Sequence, residues 1–381
     1  MKKPTDIHAN SPGLARWRHG LNPILAALGG TTAWTTAVQI LCQPKVAGRI
    51  LHRVGSLVYD HTVVSVLDAL DARRERADPI LRMEPGDYPA LDARSIALLV
   101  QFSPDGSLST MVRHQIETYR ELGFAVVLVS NSPAFPEPAW HAARQAAALV
   151  VHRRNEGLDF GAWKDLLPVA LARWPAAEEV LLVNDSVLGP IRPVAPIINA
   201  VRAAGPGVFG LLESLQGGPH LQSWFTLVRG RPAITDLAAC LATFRLSRSK
   251  WKIVQRGELR LARTMRAAGH RVAAWYRYED LLQAALADPA EHAYLVRALP
   301  ALLDGADPAR QQAILAAWPL NPAHHLWRVL TGPAGCPFIK TELVRRNPGR
   351  LPEVETWPEL VPADSPCPVP MLRAHLAMLG P

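Results

Sequence analysis

Between residues 96 and 228, short apolar runs alternate with segments of helical periodicity, and this alternation restricts the fold more than any other feature of the chain. Ile96–Phe102, Ala125–Ser130, Leu149–His152 and Val180–Val183 read as strands buried on both faces, because they carry almost no polar alternation. Between the first two, Met111, Val112, Ile116, Tyr119 and Leu122 recur at helical spacing, and Gly123 stands where that helix must stop. Ala139–Ala148 and Trp163–Trp174 are the next helices, and Val208–Ser214 and Trp224–Val228 read as two further strands. Parallel strands need a crossover, usually a helix, so the pattern predicts an α/β fold: a Rossmann-type, mostly parallel sheet flanked by helices. Sheets of this kind bind ligands beyond the carboxyl ends of their strands, which directs attention to the polar residues that follow each run.

The flanks differ. Residues 1–90 are rich in Arg and Ala and read as helical, notably Val46–Arg76, until Pro79, Pro85, Gly86 and Pro89 mark a boundary. Helical character returns after Leu237, most strongly over Trp251–Ala268, and residues 281–381 are helical and proline-rich. The expected organisation is a helical N-terminal region (1–90), a ligand-binding domain (91–285) and a helical C-terminal region packed on it (286–381). The net charge of +8 is scattered apart from Arg245–Lys252, with no basic stripe and interleaved aromatics, which argues against nucleic acid as partner. A phosphate-bearing ligand or an anionic membrane surface accounts for such a charge equally well. Leu21–Cys42 has no charged residue, but Asn22, Pro23, Gly29, Gly30 and Gln39 make it a poor membrane span. It reads as a helix of the fold; the alternative is a helix lying on the inner membrane surface beside Arg16, Arg18 and Lys45. Cys42, Cys240, Cys336 and Cys367 form no CxxC pair, and with no secretory leader recognisable after Met1 the expectation is reduced thiols and a cytoplasmic setting.

Three clusters follow strand ends. The first is Arg153-Arg154-Asn155-Glu156-Gly157-Leu158-Asp159-Phe160-Gly161-Ala162-Trp163-Lys164. Its glycines permit close backbone approach, its arginines can neutralise phosphate, and Asp159 can accept from sugar hydroxyls; an ordinary loop in which Asp159 caps the helix fits equally well. The second is Asn184-Asp185-Ser186 with Gly189-Pro190, where Asp185 can hold Mg²⁺ or Mn²⁺ on a departing diphosphate, or merely serve a turn. The third joins Glu213-Ser214 to His220-Leu221-Gln222-Ser223 through Gly217, Gly218 and Pro219. Here His220 and Gln222 can shape a sugar site and Glu213, or failing it Glu258, can serve as general base; a structural histidine is the plain alternative. Among the 11 tryptophans, Trp163 and Trp224 are the two expected near these clusters.

Taken in order, Arg154-Asn155-x-Gly157-x-Asp159-Phe160-Gly161-x-Trp163-Lys164, Asn184-Asp185-Ser186 with Gly189-Pro190, and His220-Leu221-Gln222-Ser223-Trp224-Phe225 resemble the rhamnan synthesis protein F family. Pro104-Asp105-Gly106 and the stretch Asn321-Pro322, His325, Trp327 and Pro337-Phe338-Ile339-Lys340 fit the same pattern, so the resemblance covers roughly 95–350. It implies a GT-A-like glycosyltransferase of bacterial polysaccharide or lipopolysaccharide O-antigen synthesis, with dTDP- or GDP-rhamnose as donor and a glycan or lipid-linked acceptor. It further implies donor contacts from Arg153, Arg154, Asn155, Gly157, Asp159, Lys164, Asn184, Ser186, His220 and Gln222, with Asp185 as metal ligand. Where such enzymes carry Asp-x-Asp, this chain has Asn184-Asp185-Ser186, one carboxylate in place of two, so a non-catalytic carbohydrate-binding subunit is the alternative.

Overall fold

A computed structural model describes residues 77–380 apart from Pro89 and Arg248, together with Thr5, Asp6, Thr62, Val64, Val66 and Asp68. The segment Leu21–Cys42, most of Val46–Arg76 and Cys42 lie outside the described residues. The strands are β1 (Thr5–Asp6), β2 (Ile80–Pro85), β3 (Ser95–Gln101), β4 (Ala125–Ser130), β5 (Leu149–Arg153), β6 (Glu179–Asn184), β7 (Val187–Leu188), β8 (Gly207–Ser214), β9 (His220–Leu221), β10 (Phe225–Arg229), β11 (Val272–Tyr276) and β12 (Ile339–Lys340). The main sheet runs β1-β11-β8-β10-β6-β3-β4-β5-β2, with β9 paired to β8, while β12 and β7 form a separate ribbon. Strands β5, β4, β3 and β6 are parallel, as are β8 and β11. Strand β10 runs antiparallel between β6 and β8, and β2 runs antiparallel along β5.

The continuous apolar runs are explained by burial on both faces. Along β3, Ala97 and Leu99 enter one core while Ile96, Leu98 and Val100 enter the other, and every one of them is sealed from solvent. Helices α1 (Thr110–Glu121), α2 (Glu137–Ala146) and α4 (Ala195–Ala203) cover the first face. Helices α3 (Leu158–Arg173), α5 (Arg231–Ala242) and α7 (Arg260–Ala267) cover the second, α7 being reached from α6 (Lys250–Val254) through a π-helical turn at Gln255–Leu259. The first core extends without a break through α8 (Tyr278–Ala287) into Leu295, Leu315, Trp327, Phe338, Leu343, Trp357 and Leu372, so the C-terminal region shares the hydrophobic interior of the sheet.

Several expectations are corrected. Ile80–Pro85, placed in the helical N-terminal region, is an edge strand whose alternate residues are exposed, a pattern too short to announce itself. Val272–Tyr276 is a buried strand beyond the point where the chain seemed purely helical. Trp251–Ala268 is broken by the π turn, and α3 starts at Leu158, five residues before the apolar pattern indicated. That early start depends on Gly157 and Leu158, both left-handed (φ 74 and 53), which turn the chain directly from β5 into the helix.

Candidate functional site

Strand β3 has β4 on one side and β6 on the other, so the chain's direction of growth across the sheet reverses between β3 and β6. A crevice forms at such a reversal because the crossovers depart to opposite faces. Register puts Val100 opposite Asn184, so both strands end at one level and their following residues meet. The Asp185 N–H bonds Val100 O at 3.1 Å, and the Phe102 N–H donates to Asp185 Oδ2 at 2.8 Å. From the next element over, Asp159 in the first turn of α3 accepts from Asn184 Nδ2 at 2.5 Å. Asn184 spends its other atom on Ser186, whose N–H and hydroxyl both donate to Asn184 Oδ1.

The C-terminal region completes this cluster. Because Lys340 pairs with Val187 in the β7–β12 ribbon, its side chain reaches back to donate to Ser186 Oγ at 2.9 Å. Burial raises both aspartates above the ordinary carboxylate range. Asp185 reaches about 7, chiefly through burial and then through the neighbouring charge of Asp159, while the Phe102 N–H and Lys340 pull it back. Asp159 is raised by burial first and by Glu258 second, with the Phe160 N–H, Lys340 and Asn184 acting in the opposite direction. Two carboxylates and one ammonium therefore share a poorly solvated space, an arrangement typical of functional sites.

Glu258 arrives from the π turn, a local form frequent at functional sites. Gly257 makes the approach feasible: a Cβ there would stand 2.7 Å from the Phe160 ring, so only glycine lets the turn close onto α3. Glu258 Oε1 accepts the Ser223 hydroxyl (2.6 Å) and N–H (3.2 Å), and its Oε2 lies 3.6 Å from His220 Nε2. Only the protonated nitrogen can face a carbonyl, so the 2.8 Å bond between His220 Nδ1 and Gly218 O fixes the proton on Nδ1 and turns Nε2 toward Glu258. Asp159, Asn184, Ser186 and Lys340, with Asp185 beside them, form one bonded group, and Glu258, Ser223 and His220 a second, near enough for the Glu258 charge to raise Asp159.

Other sequence-nominated residues do different work. Arg153 is fully buried, with Nη1 on Asn131 Oδ1 (2.9 Å) and Nη2 on Glu156 O (3.0 Å) and Asp165 Oδ2 (2.8 Å). Its guanidinium braces the loop from within instead of meeting a diphosphate. Arg154 is exposed and bonded to the backbone of Pro79 and Asp78, at the β2 margin of the sheet, and Asn155 is exposed on the same turn. Lys164 Nζ donates to Phe244 O at 2.8 Å, tying α3 to the end of α5. Gly157 is required by its positive φ and by Leu246, whose Cδ2 would lie 2.4 Å from a Cβ. Gln222 is buried, accepting from Trp224 Nε1 (2.8 Å) and donating to Asn321 Oδ1 (3.3 Å), so it fastens the C-terminal region beside the site. Trp163 and Trp224 stand beside these segments as expected, but both are buried and pack in the core. Glu213 is engaged with another element: it accepts the Tyr278 N–H at 3.1 Å, placing its carboxylate on the N-terminus of α8, and burial raises its pKa.

Two site members were undervalued in the sequence. Glu258 ranked behind Glu213 as base because a π turn leaves no periodic signature, and Lys340 had no role although Pro337-Phe338-Ile339-Lys340 was visible as a motif. Among the described residues no three His, Cys, Asp or Glu side chains are arranged to hold a metal ion. Cys240, Cys336 and Cys367 are buried free thiols, and among the described residues no helix is long and apolar enough to cross a membrane.

No protein-family model matches this chain. It is 26% identical over 196 residues to the uncharacterized protein y4gN of Sinorhizobium fredii (strain NBRC 101917 / NGR234). The match covers 50% of this chain and 50% of that relative, so the chain spans about half the length of the curated protein it resembles.

Proposed function

We propose that this protein is a glycosyltransferase that moves a sugar, rhamnose being the first candidate, from a nucleotide-diphosphate donor to a bacterial surface polysaccharide or lipid-linked glycan. The observation that carries the reading is the meeting of Asp159, Asn184, Asp185 and Lys340 at the strand-order reversal, where mononucleotide ligands of α/β sheets bind. The carboxylate missing from Asn184-Asp185-Ser186 has a spatial substitute in Asp159, delivered by α3 and locked to Asn184.

In this reading Lys340 offsets the charge of the diphosphate, and Ser186 and Asn184 hold that ammonium and Asp159 in place. Asp159 and Asp185 suit Mg²⁺ or Mn²⁺, which takes one or two carboxylates and fills its shell with water and substrate phosphate oxygens. Bound there, such a cation would supply Lewis-acid stabilisation of the leaving nucleotide diphosphate. Glu258 replaces Glu213 as the base for the acceptor hydroxyl: it is held by Ser223, oriented toward His220 and close enough to Asp159 to influence its charge. A cytoplasmic setting, at the inner face of the membrane where lipid-linked acceptors are built, belongs to the same proposal.

The test is transfer of label from dTDP- or GDP-rhamnose to a glycan or lipid-linked acceptor, with and without Mn²⁺. Turnover abolished in Asp185→Ala and Glu258→Gln but kept in Glu213→Gln is the expected outcome. Full turnover in Asp185→Ala would discard the site, and nucleotide-sugar binding with no turnover for any acceptor would favour the non-catalytic carbohydrate-binding alternative.

A further inference from the structure

Among the described residues few large apolar side chains are exposed, and two of them stand at the crevice: Phe102 (38% exposed) and Leu158 (37%). Phe102 is the first residue beyond β3, and its N–H is the one that Asp185 accepts. Leu158 directly precedes Asp159. Asn131, just beyond β4, links the two positions: its N–H donates to Gln101 O (2.9 Å) and its Nδ2 to Leu158 O (3.2 Å). The buried Arg153 guanidinium holds the remaining Asn131 Oδ1 at 2.9 Å, so Phe102 and Leu158 are carried on one braced strand-end framework.

The fold does not account for either side chain. Apolar surface left in water contributes no burial energy. Leu158 also sits at positive φ (53), where glycine or asparagine would hold the turn at lower cost, and strain of this kind collects at ligand sites. Beside them are two carboxylates and the Lys340 ammonium, so a charged surface and an apolar one adjoin. A nucleotide has the same two parts, a diphosphate and a flat ring. Building on the sugar-nucleotide reading above, we propose that the nucleobase of the donor stacks on Phe102 and is covered by Leu158. The sheet order then gives the donor a direction. Its base lies on the β3–β4–β5 side of Asp185 and its diphosphate at Asp185 and Lys340, and its sugar extends toward Ser223 and His220 on the β10–β8 side. Every base has a π face, so this platform holds the nucleotide without choosing among bases.

The experiment is titration calorimetry on the full chain with Mn²⁺ present, using ADP, CDP, GDP, UDP, dTDP and inorganic pyrophosphate as probes. Phe102→Ala should weaken the nucleoside diphosphates that bind by about 10- to 100-fold, the range expected for one base stacked on one aromatic ring. It should leave pyrophosphate, which has no base, unchanged. Leu158→Ala should show the same split, several-fold in size. Phe102→Trp keeps a flat ring and should keep the affinity, and its added fluorescence should be quenched by nucleoside diphosphate and not by pyrophosphate. Thermal unfolding of each variant shows whether it is folded. Nucleoside-diphosphate binding unmoved in both folded alanine variants overturns this inference and leaves the transferase reading standing. So does a loss shared equally by pyrophosphate, or fluorescence of the Phe102→Trp protein that nucleoside diphosphate leaves unaltered. Absence of binding by every probe to the wild-type protein overturns both.

Discussion

Asp185→Asn should stabilise the protein at neutral and alkaline pH, although it removes a residue central to the proposed chemistry. The wild-type carboxyl rises from its ordinary 3.8 to about 7 on folding, principally because the crevice withholds water from it. Between those values the native state keeps a proton that the unfolded chain has released, so native stability falls as pH climbs through the window. At about 1.4 kcal/mol per tenfold in proton affinity the ceiling above pH 7 is about 4 kcal/mol. The carboxyl retains some contact with water, which lowers the working figure to about 2–3 kcal/mol. Asparagine is nearly isosteric, and its Oδ1 can still accept the Phe102 N–H, so the substitution removes the charge while keeping the bond. Urea unfolding of both proteins at about pH 3.5 and about pH 8 isolates the effect, because groups not coupled to Asp185 cancel in the difference. The expected outcome is near-equality at the acidic pH and a gain of about 2 kcal/mol or more for the variant at the alkaline one. A difference that stays constant across the two conditions would refute the desolvation argument.

Four further outcomes follow from the same geometry. Mn²⁺ should raise the melting temperature of the wild-type protein at alkaline pH and leave Asp185→Asn unmoved, since the cation relieves the repulsion between Asp159 and Asp185; equal shifts in the two would place the ion elsewhere. Gly257→Ala should cost about 1–3 kcal/mol in chemical denaturation, because the new methyl must displace the Phe160 ring. Arg153→Met removes a buried guanidinium paired with Asp165 and should cost about 3 kcal/mol or more; Lys340→Ala should instead spare stability while weakening nucleoside-diphosphate binding about 10-fold or more in titration calorimetry, and the opposite pattern would exchange the roles assigned to these two cations.

The layered α/β architecture was legible because strands buried on both faces must be apolar throughout, as Ile96–Val100 and Val126–Val129 are, and because parallel pairing demands the helices that separate them. Nominating Asp159, Asn184, Asp185 and His220 rested on a similar rule, that ligands meet sheets at strand ends. The edge strand Ile80–Pro85 escaped notice because an exposed edge needs no apolar run, and Val272–Tyr276 because five residues between helices do not declare a period.

What the linear chain determined by itself was therefore most of the strands and helices of the central sheet and the strand-end loops where a ligand can meet it, both of which depend on local pattern. Only tertiary structure decided which polar residues serve the site and which serve the scaffold. Arg153 and Asp159 sit six positions apart in one motif, yet one is consumed by Asp165 inside the loop and the other faces Asn184 across the crevice. Lys340 and Glu258 reach the same crevice from 155 and 73 positions beyond Asp185, through a two-stranded ribbon and a π turn that join distant segments. Ion pairing and desolvation act through space, where distance along the chain has no influence, and so the functional assignment of each charge waits on the fold.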